Sequence, residues 1–195
     1  MTFSKFALAP IAAAAMTLGM PALAADNSLT FQGVTFETTA VDSDTMSFTI
    51  LNAVTGATGN WADINYLKAF EFKEIGAVTG ATITPSDLTP IDFNLNSGGC
   101  PGPAGSQGIC FLASTPVTLT DSMSWVIDFT GTGLTFASPH LKVNFYETLT
   151  QTSATGDLLS LNIPTAVPEP ETYAMLLAGL GLMGFVARRR RKGVL

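Results

Sequence analysis

His140 is the only histidine in the chain of 195 residues, so any histidine-based chemistry would have to use it. A Ser–His–Asp arrangement needs a histidine held between a nucleophile and an orienting group. His140 instead follows Pro139 and opens a predicted strand, so we interpret it as a turn or strand-edge histidine. A zinc site would have to combine Cys100 and Cys110 with carboxylates, which is implausible if the two cysteines are oxidised.

Two carboxylate pairs could serve as glycosidase acids, because that chemistry needs only two carboxyl groups. They are Asp42 with Asp44, and Glu71 with Glu74, and neither pair lies among clustered aromatic and polar residues of the kind that a sugar cleft needs. Asp42 and Asp44 could alternatively contribute to a Ca²⁺ site in a loop, although a solvated turn is the favoured interpretation. The HExxH, GxSxG, P-loop and EF-hand motifs are all absent. We therefore predict no enzymatic activity and no cofactor.

Trp61, Trp125 and Tyr66 are the aromatic residues considered for stacking on a sugar ring. Trp125 alternates in phase with apolar residues and is predicted to be buried. Trp61 follows Gly59 and Asn60 at the end of a loop, so it is the candidate for ligand contact at the surface. The threonines do not recur at a fixed spacing, which gives little support to an ice-binding surface.

Cys100 and Cys110 are the only cysteines and flank a Gly- and Pro-rich loop. In an exported protein this spacing predicts a disulfide that closes a short loop. The chain-entropy model gives such a bridge a stabilisation of roughly 2–3 kcal/mol.

Charge is distributed unevenly along the chain. Residues 26–167 contain thirteen acids and three lysines, a net charge of −10, whereas most other bases lie in the run Arg188, Arg189, Arg190, Arg191 and Lys192. Such an acidic region repels a phosphate backbone, which argues against nucleic acid as a partner.

The same region has the amino-acid composition of an all-β protein, with abundant Phe, Val, Ile and Thr and frequent turn residues. Alternation is clearest at Met46, Phe48 and Ile50, as expected for half-buried antiparallel strands. We predict strands over residues 29–38, 45–52, 66–75, 78–84, 91–94, 108–113, 117–119, 123–130, 141–149 and 158–163. Many short strands favour an antiparallel β-sandwich, jelly-roll-like, over a barrel.

The N-terminus has the three parts of a secretory signal peptide. Lys5 supplies the positive charge, residues 6–20 are apolar, and Ala22 and Ala24 form the small–x–small cleavage pattern. The sequence predicts a signal helix within residues 1–25 and a mature start at Ala25 or Asp26.

Near the C-terminus, residues 172–187 are uncharged and are followed at once by the basic run at 188–192. A helix of this length covers roughly 24 Å, slightly less than a bilayer core of about 30 Å. We predict a single transmembrane helix over 172–187, with the basic cluster at 188–195 kept in the cytoplasm by the positive-inside rule.

Immediately before that segment lies Val167-Pro168-Glu169-Pro170-Glu171. This motif, the apolar helix and the arginine cluster together resemble the PEP-CTERM sorting domain. The two prolines favour an extended backbone that a protease-like cleft can bind. The resemblance implies recognition by an exosortase, cleavage near Pro168-Glu169-Pro170, and a Gram-negative host that makes exopolysaccharide.

The predicted organisation is therefore a signal peptide (1–25), a β-sandwich ectodomain (26–164), a linker with the sorting motif (165–171), a transmembrane helix (172–187) and a basic tail (188–195). We expect Sec-dependent export, a transient stay in the inner membrane, and then the cell surface or extracellular matrix. The expected role is structural or adhesive in exopolysaccharide or biofilm. The alternatives are a carbohydrate-binding module with a defined sugar site and, third, a secreted glycoside hydrolase.

Overall fold

A computed structural model describes residues 26–101, 108–165, 177–181 and 183. The described residues form two antiparallel sheets of five strands each. In spatial order, sheet A contains β1 (Asp26–Phe31), β2 (Val34–Ala40), β3 (Thr45–Leu51), β8 (Ser122–Thr132) and β5 (Ala77–Thr84). Sheet B contains β10 (Leu159–Asn162), β9 (His140–Tyr146), β4 (Tyr66–Lys73), β7 (Gly108–Thr118) and β6 (Thr89–Ile91). A single 3-10 turn, Gly59–Trp61, precedes β4.

The core lies between the sheets, where each strand contributes every second side chain. Sheet A contributes Phe36, Phe48 and Trp125, and sheet B contributes Phe70 and Phe145, all of them buried. The Phe48 ring contacts Phe70 edge-on with centroids 4.7 Å apart, so the aromatic contacts run across the sandwich. The prediction of a sandwich of two antiparallel sheets is confirmed.

The predicted strand 29–38 is wrong in one respect, because it is two strands joined by a tight turn. Gln32 and Gly33 form the turn with φ of 47° and 81°, a left-handed pair typical of two-residue hairpins. Gly33 is required there, since a Cβ would lie 1.8 Å from the Gly56 carbonyl oxygen. The Gln-Gly pair is a weaker hairpin signal than Asn-Gly, and the apolar alternation continues through it.

The two predicted strands 108–113 and 117–119 are instead one strand, β7. Its register against β4 jumps between Leu67 and Ala69, whose partners are Val117 and Leu112. The extra residues of β7 accommodate Pro116, which has no amide proton for the ladder. The predicted strand 91–94 is also misplaced, since β6 occupies Thr89–Ile91.

The two ends of the described sandwich meet. Asn27 at the start of β1 forms an antiparallel bridge with Thr165, and the Ser28 amide donates to the Pro164 carbonyl over 3.2 Å. The buried Asn27 side chain donates to the Phe136 carbonyl at 2.6 Å. The Thr165 hydroxyl also donates to the Ala137 carbonyl. The last described residue of the domain is therefore fixed beside its first strand.

The predicted signal peptide and basic tail lie outside the described residues. Residues 177–181 and 183, within the predicted transmembrane segment, are helical. Across the parts of the chain that the structure describes, no helix is both long enough and apolar enough to span a bilayer.

Candidate functional site

The outer surface of sheet A is covered mainly by short hydroxyl side chains, and we call it the hydroxyl face. Strand register aligns its residues in rows that cross the sheet. The rows are Thr30–Thr35–Leu51–Ser122, Ser28–Glu37–Thr49–Ser124, Thr39–Ser47–Val126–Thr84 and Thr45–Asp128–Thr82. Neighbours within a row are about 4.8 Å apart, and successive rows are about 6.8 Å apart.

Hydroxyl groups on this face bond to one another across strands. Thr30 and Thr35 are joined by a 2.8 Å hydrogen bond between their side-chain oxygens. Thr49 and Ser124 are joined in the same way at 3.0 Å. A hydroxyl combines one donor with two acceptor positions, so each of these groups retains hydrogen-bonding capacity toward solvent or a ligand.

One corner of the hydroxyl face adjoins the turn that carries Asp42 and Asp44. Asp42 Oδ1 accepts hydrogen bonds from the amides of Asp44 and Thr45, at 3.1 and 2.8 Å. The Asp44 amide is the main cause of the lowered pKa of the Asp42 carboxyl. The pKa of the Asp44 carboxyl is raised by its side-chain hydrogen bond to Asp42, by burial, and by the negative charges of Asp42 and Asp128.

The Ca²⁺ alternative at Asp42 and Asp44 gains no further ligand from this geometry. In residues 26–101, 108–165 and the short helical piece, no three His, Cys, Asp or Glu side chains are grouped so that they could hold a metal ion. Asp42 acts here as the acceptor that closes a turn, a common role for aspartate.

All three lysines of the sandwich lie on sheet B and donate to other groups of the domain. Lys68 Nζ donates to the Ala113 carbonyl at 2.7 Å, and burial lowers the pKa of Lys68. Lys73 Nζ donates to Asn94 Oδ1 at 3.1 Å. Lys142 Nζ donates to the Leu95 carbonyl at 3.3 Å. Sheet A therefore carries no lysine, and its outer-face acids have no cationic neighbour on the same face.

Lys142 pairs with Glu71 on the outer side of sheet B, beneath residues 92–101, which follow β6 and which we call the covering loop. Lys142 Nζ lies 3.4 Å from Glu71 Oε2, and the Glu71 side chain is fully buried. Glu71 Oε2 also accepts the Leu95 amide at 3.0 Å. Glu71 therefore fixes the covering loop to the sheet, and it is too enclosed to act as a surface acid.

The predicted disulfide is confirmed and lies in the same region. Cys100 and Cys110 are bonded, with their Cα atoms 6.2 Å apart. Both cysteines pack with Ala69, Leu95 and the partly buried Leu112 in a small apolar cluster on the outer side of sheet B. The bridge attaches the covering loop to β7.

The prediction that Trp61 contacts ligand at the surface is corrected, because the structure buries its side chain completely. Its ring packs edge-on against Phe31 and Phe145, at centroid distances of 5.1 Å in each case. The indole N–H donates to the Asp157 carbonyl at 2.9 Å. A loop about 96 residues further along the chain supplies that acceptor, so the sequence near Trp61 could not reveal the burial.

The second tryptophan, Trp125, is buried as predicted. Among the described aromatic residues, Phe93 is the most exposed, with 39% of its surface accessible. The hydroxyl face carries no aromatic residue in its four rows. A row of exposed rings for stacking on sugars is therefore not present in the described part of the chain.

His140 lies where the sequence placed it, at the first residue of β9, but it has partners that the sequence did not reveal. Nδ1 is 2.7 Å from Asn162 Oδ1, and Nε2 is 3.0 Å from Ser160 Oγ. Asn162 Nδ2 donates to Glu74 Oε2 at 3.1 Å, which fixes the amide orientation. It follows that Nδ1 of a neutral His140 carries the proton, and Nε2 accepts from Ser160.

The Ser160–His140–Asn162 order matches the nucleophile, base and orienting amide of hydrolytic triads. These side chains are on the open outer side of sheet B, and Ser160 and Asn162 are exposed on the edge strand β10. Alternation along residues 158–163 predicts that Ser160 and Asn162 share a face. The register that brings them to His140 becomes known only with the fold.

The predicted cleavage and sorting positions lie outside the described residues. These are Ala22 and Ala24 of the signal peptide, the motif Val167, Pro168, Glu169 and Pro170, and the bases Arg188, Arg189, Arg190, Arg191 and Lys192. Thr165 is the last described residue of the sandwich, and its bridge to Asn27 is the last described backbone pairing.

A family model for the PEP-CTERM protein-sorting motif matches residues 166–191. The match begins directly after Thr165. It confirms the resemblance found in the sequence and is the signature of an exosortase-targeted protein of the Gram-negative cell envelope or surface. No curated protein and no solved structure matches the chain.

Proposed function

We propose that this chain, which carries a PEP-CTERM protein-sorting motif, is a structural or adhesive component of an extracellular polysaccharide matrix. The single observation that carries the proposal is the position of the motif. The match starts at residue 166, one position after Thr165, the last bridged residue in the described part of the sandwich. Processing within the motif would therefore release or transfer the β-sandwich as an intact folded unit.

The proposed route has three steps. The Sec machinery exports the chain, and signal peptidase cleaves after the Ala22–Ala24 pattern. The apolar segment 172–187 then holds the chain in the inner membrane, with the bases Arg188–Lys192 on the cytoplasmic side. An exosortase finally cleaves near Pro168-Glu169-Pro170, and the domain passes to the cell surface or matrix.

The properties of the sandwich are compatible with an extracellular location. The disulfide between Cys100 and Cys110 is a bond that persists in oxidising compartments. The acidic residues and the hydroxyl face of the sandwich keep such a domain soluble at high local concentration. Hydroxyl groups at regular spacing also offer many weak contacts to a polymer, which suits adhesion better than tight recognition of one sugar.

A carbohydrate-binding module with a defined sugar site is the second candidate. Burial of both Trp61 and Trp125 counts against it, because stacking on a sugar ring needs an exposed aromatic face. Phe93, at 39% exposure, is the aromatic position on which such a site could still be built. Failure of Phe93→Ala to change sugar binding would remove that basis.

We propose that the domain is not an enzyme. Glu71 is enclosed in an ion pair, so it does not face a substrate together with Glu74. The relevant test concerns Ser160, whose hydroxyl is bonded to His140. We expect a fluorophosphonate probe to leave Ser160 unmodified, with a known serine hydrolase labelled in parallel as the positive control. Stoichiometric labelling of Ser160 that disappears in His140→Ala would overturn the non-catalytic assignment.

The matrix role is tested in the native host by comparing cells with and without exosortase. Mass spectrometry should find a processed chain, ending near Pro168 to Pro170, in the matrix fraction of the parent strain. In the exosortase-deficient strain we expect the uncut chain in the inner membrane and none in the matrix. A processed domain that washes freely into the medium, with no matrix-bound fraction, would contradict the proposal.

A further inference from the structure

The bases of the sandwich all lie on sheet B, so the outer face of sheet A presents acids without a base beside them. Lys68 and Lys73 donate to Ala113 and Asn94, and Lys142 is paired with buried Glu71. These are the only bases in residues 26–165 apart from His140. A polymer that approaches the hydroxyl face therefore meets acids with no lysine on the same face.

The hydroxyl face places two of those acids within a field of neutral donors and acceptors. Glu37 lies on β2 between Ser28 and Thr49, and Asp128 lies on β8 between Thr45 and Thr82. Two strand spacings and four residues along the strand separate them, so they are about 17 Å apart. One sugar cannot reach both, whereas a polymer lying across the sheet can.

Between these two acids lies an apolar contact. Val126 is 47% exposed and stands in the row between Ser47 and Thr84. Its side chain offers an apolar surface to the C–H groups of a sugar, while neighbouring hydroxyls can bond to the hydroxyl groups of the same sugar. The face thus combines negative charge, hydroxyl groups and an exposed aliphatic side chain.

We infer that the hydroxyl face binds a polysaccharide that carries protonated amino groups, and this inference rests on the proposed matrix role. Charge complementarity selects that class: an amino sugar polymer gains attraction to Glu37 and Asp128, and a polyuronate would be repelled by them. An uncharged glycan would gain only the hydroxyl contacts.

The test compares two polymers with the same backbone, beads of polyglucosamine and beads of fully acetylated poly-N-acetylglucosamine. The full-length chain is used in neutral detergent, at pH 6 and low salt, with Cys100 and Cys110 oxidised. We expect binding to the amino polymer and at least fivefold weaker binding to the acetylated polymer. Binding should also fall as salt rises to 0.5 M, because exposed charge contacts are screened.

Two matched double variants distinguish binding at the hydroxyl face from general attraction to an acidic protein. Glu37→Gln combined with Asp128→Asn removes two charges from the hydroxyl face. Asp63→Asn combined with Glu147→Gln removes two exposed charges elsewhere, and far-UV circular dichroism checks the fold of both. Because the face variant loses two exposed charge contacts, each of modest strength, we expect it to bind roughly fivefold more weakly. The control variant should bind like the parent chain.

Equal losses in the two double variants would show that attraction is diffuse, and they would overturn the assignment to this face. Equal binding to both polymers would overturn the charge class, while retention of the processed chain in the cellular matrix would still support the proposed function. Binding to neither polymer, together with retention in the matrix, would likewise overturn this inference alone.

Discussion

Replacing Trp61 with alanine should destabilise the sandwich severely without any direct effect on ligand binding. The side chain has no accessible surface and packs against Phe31, Phe36 and Phe145. Removing a buried tryptophan costs about 3–5 kcal/mol, from lost burial and from the cavity that remains. The Asp157 carbonyl would also lose its indole donor.

A loss of about 4 kcal/mol is a large share of the 5–15 kcal/mol by which domains are usually stable. Unfolding entropy is near 2.1 cal/mol/K per residue, which gives about 0.3 kcal/mol/K for a domain of roughly 140 residues. The melting temperature of Trp61→Ala should therefore fall by about 13 °C. Urea titration followed by far-UV circular dichroism measures the free energy of unfolding directly.

Two further variants sharpen this experiment. Trp61→Phe keeps a ring against Phe145 but removes the bond to Asp157, so its loss should be smaller, about 1–2 kcal/mol. Trp125→Phe is the matched control, because Trp125 is also buried and donates its indole N–H to Asp87 Oδ1 at 2.9 Å. A loss below 1 kcal/mol in Trp61→Ala would refute the packing argument. It would mean that the ring is exposed in solution, and the surface role first expected for Trp61 would then return.

Three other perturbations have defined outcomes. Replacing Cys100 and Cys110 by serine should lower the free energy of unfolding in urea by roughly 2–3 kcal/mol, and equal urea midpoints for the parent chain under oxidising and reducing conditions would contradict this. Glu71→Ala leaves the Lys142 charge without its carboxylate and should cost about 3 kcal/mol, whereas the double variant with Lys142→Met should recover part of that loss. The pKa of Asp121 is lowered mainly because the Thr55 amide donates a hydrogen bond to its carboxylate. The contribution of the ionised Asp121 to stability is therefore present above the unfolded-state pKa, and it is lost as pH falls through the lower folded-state pKa. Hydrogen exchange of the Val54 and Thr55 amides, corrected for intrinsic rates, should show protection that decreases at acid pH in the parent chain and is already absent at neutral pH in Asp121→Ala.

Local sequence patterns were sufficient where burial alternates along a single strand. Met46, Phe48 and Ile50 fall on the inner face of β3, as their spacing predicts. The disulfide was also predictable, because only two cysteines exist and both flank one loop. These features depend on residues that are close together in the chain.

Features built from distant segments could not be read from the sequence. The rows of the hydroxyl face depend on the pairing of β3 with β8, whose residues Thr49 and Ser124 are 75 positions apart. Burial of Trp61 depends on Asp157, and the partners of His140 depend on the register of β10 against β9. In each case the local pattern fixed the strand or loop, and tertiary pairing decided which side chains met.

The bridge between Asn27 and Thr165 has a consequence for the connectivity of the domain. Because the entry and exit of the sandwich are adjacent, a short peptide can join them and new ends can be opened at an exposed turn elsewhere in the domain. Such a circular permutant should fold to the same two sheets. For the same reason the whole sandwich can be inserted into a surface loop of another protein without separating the attachment points of that loop.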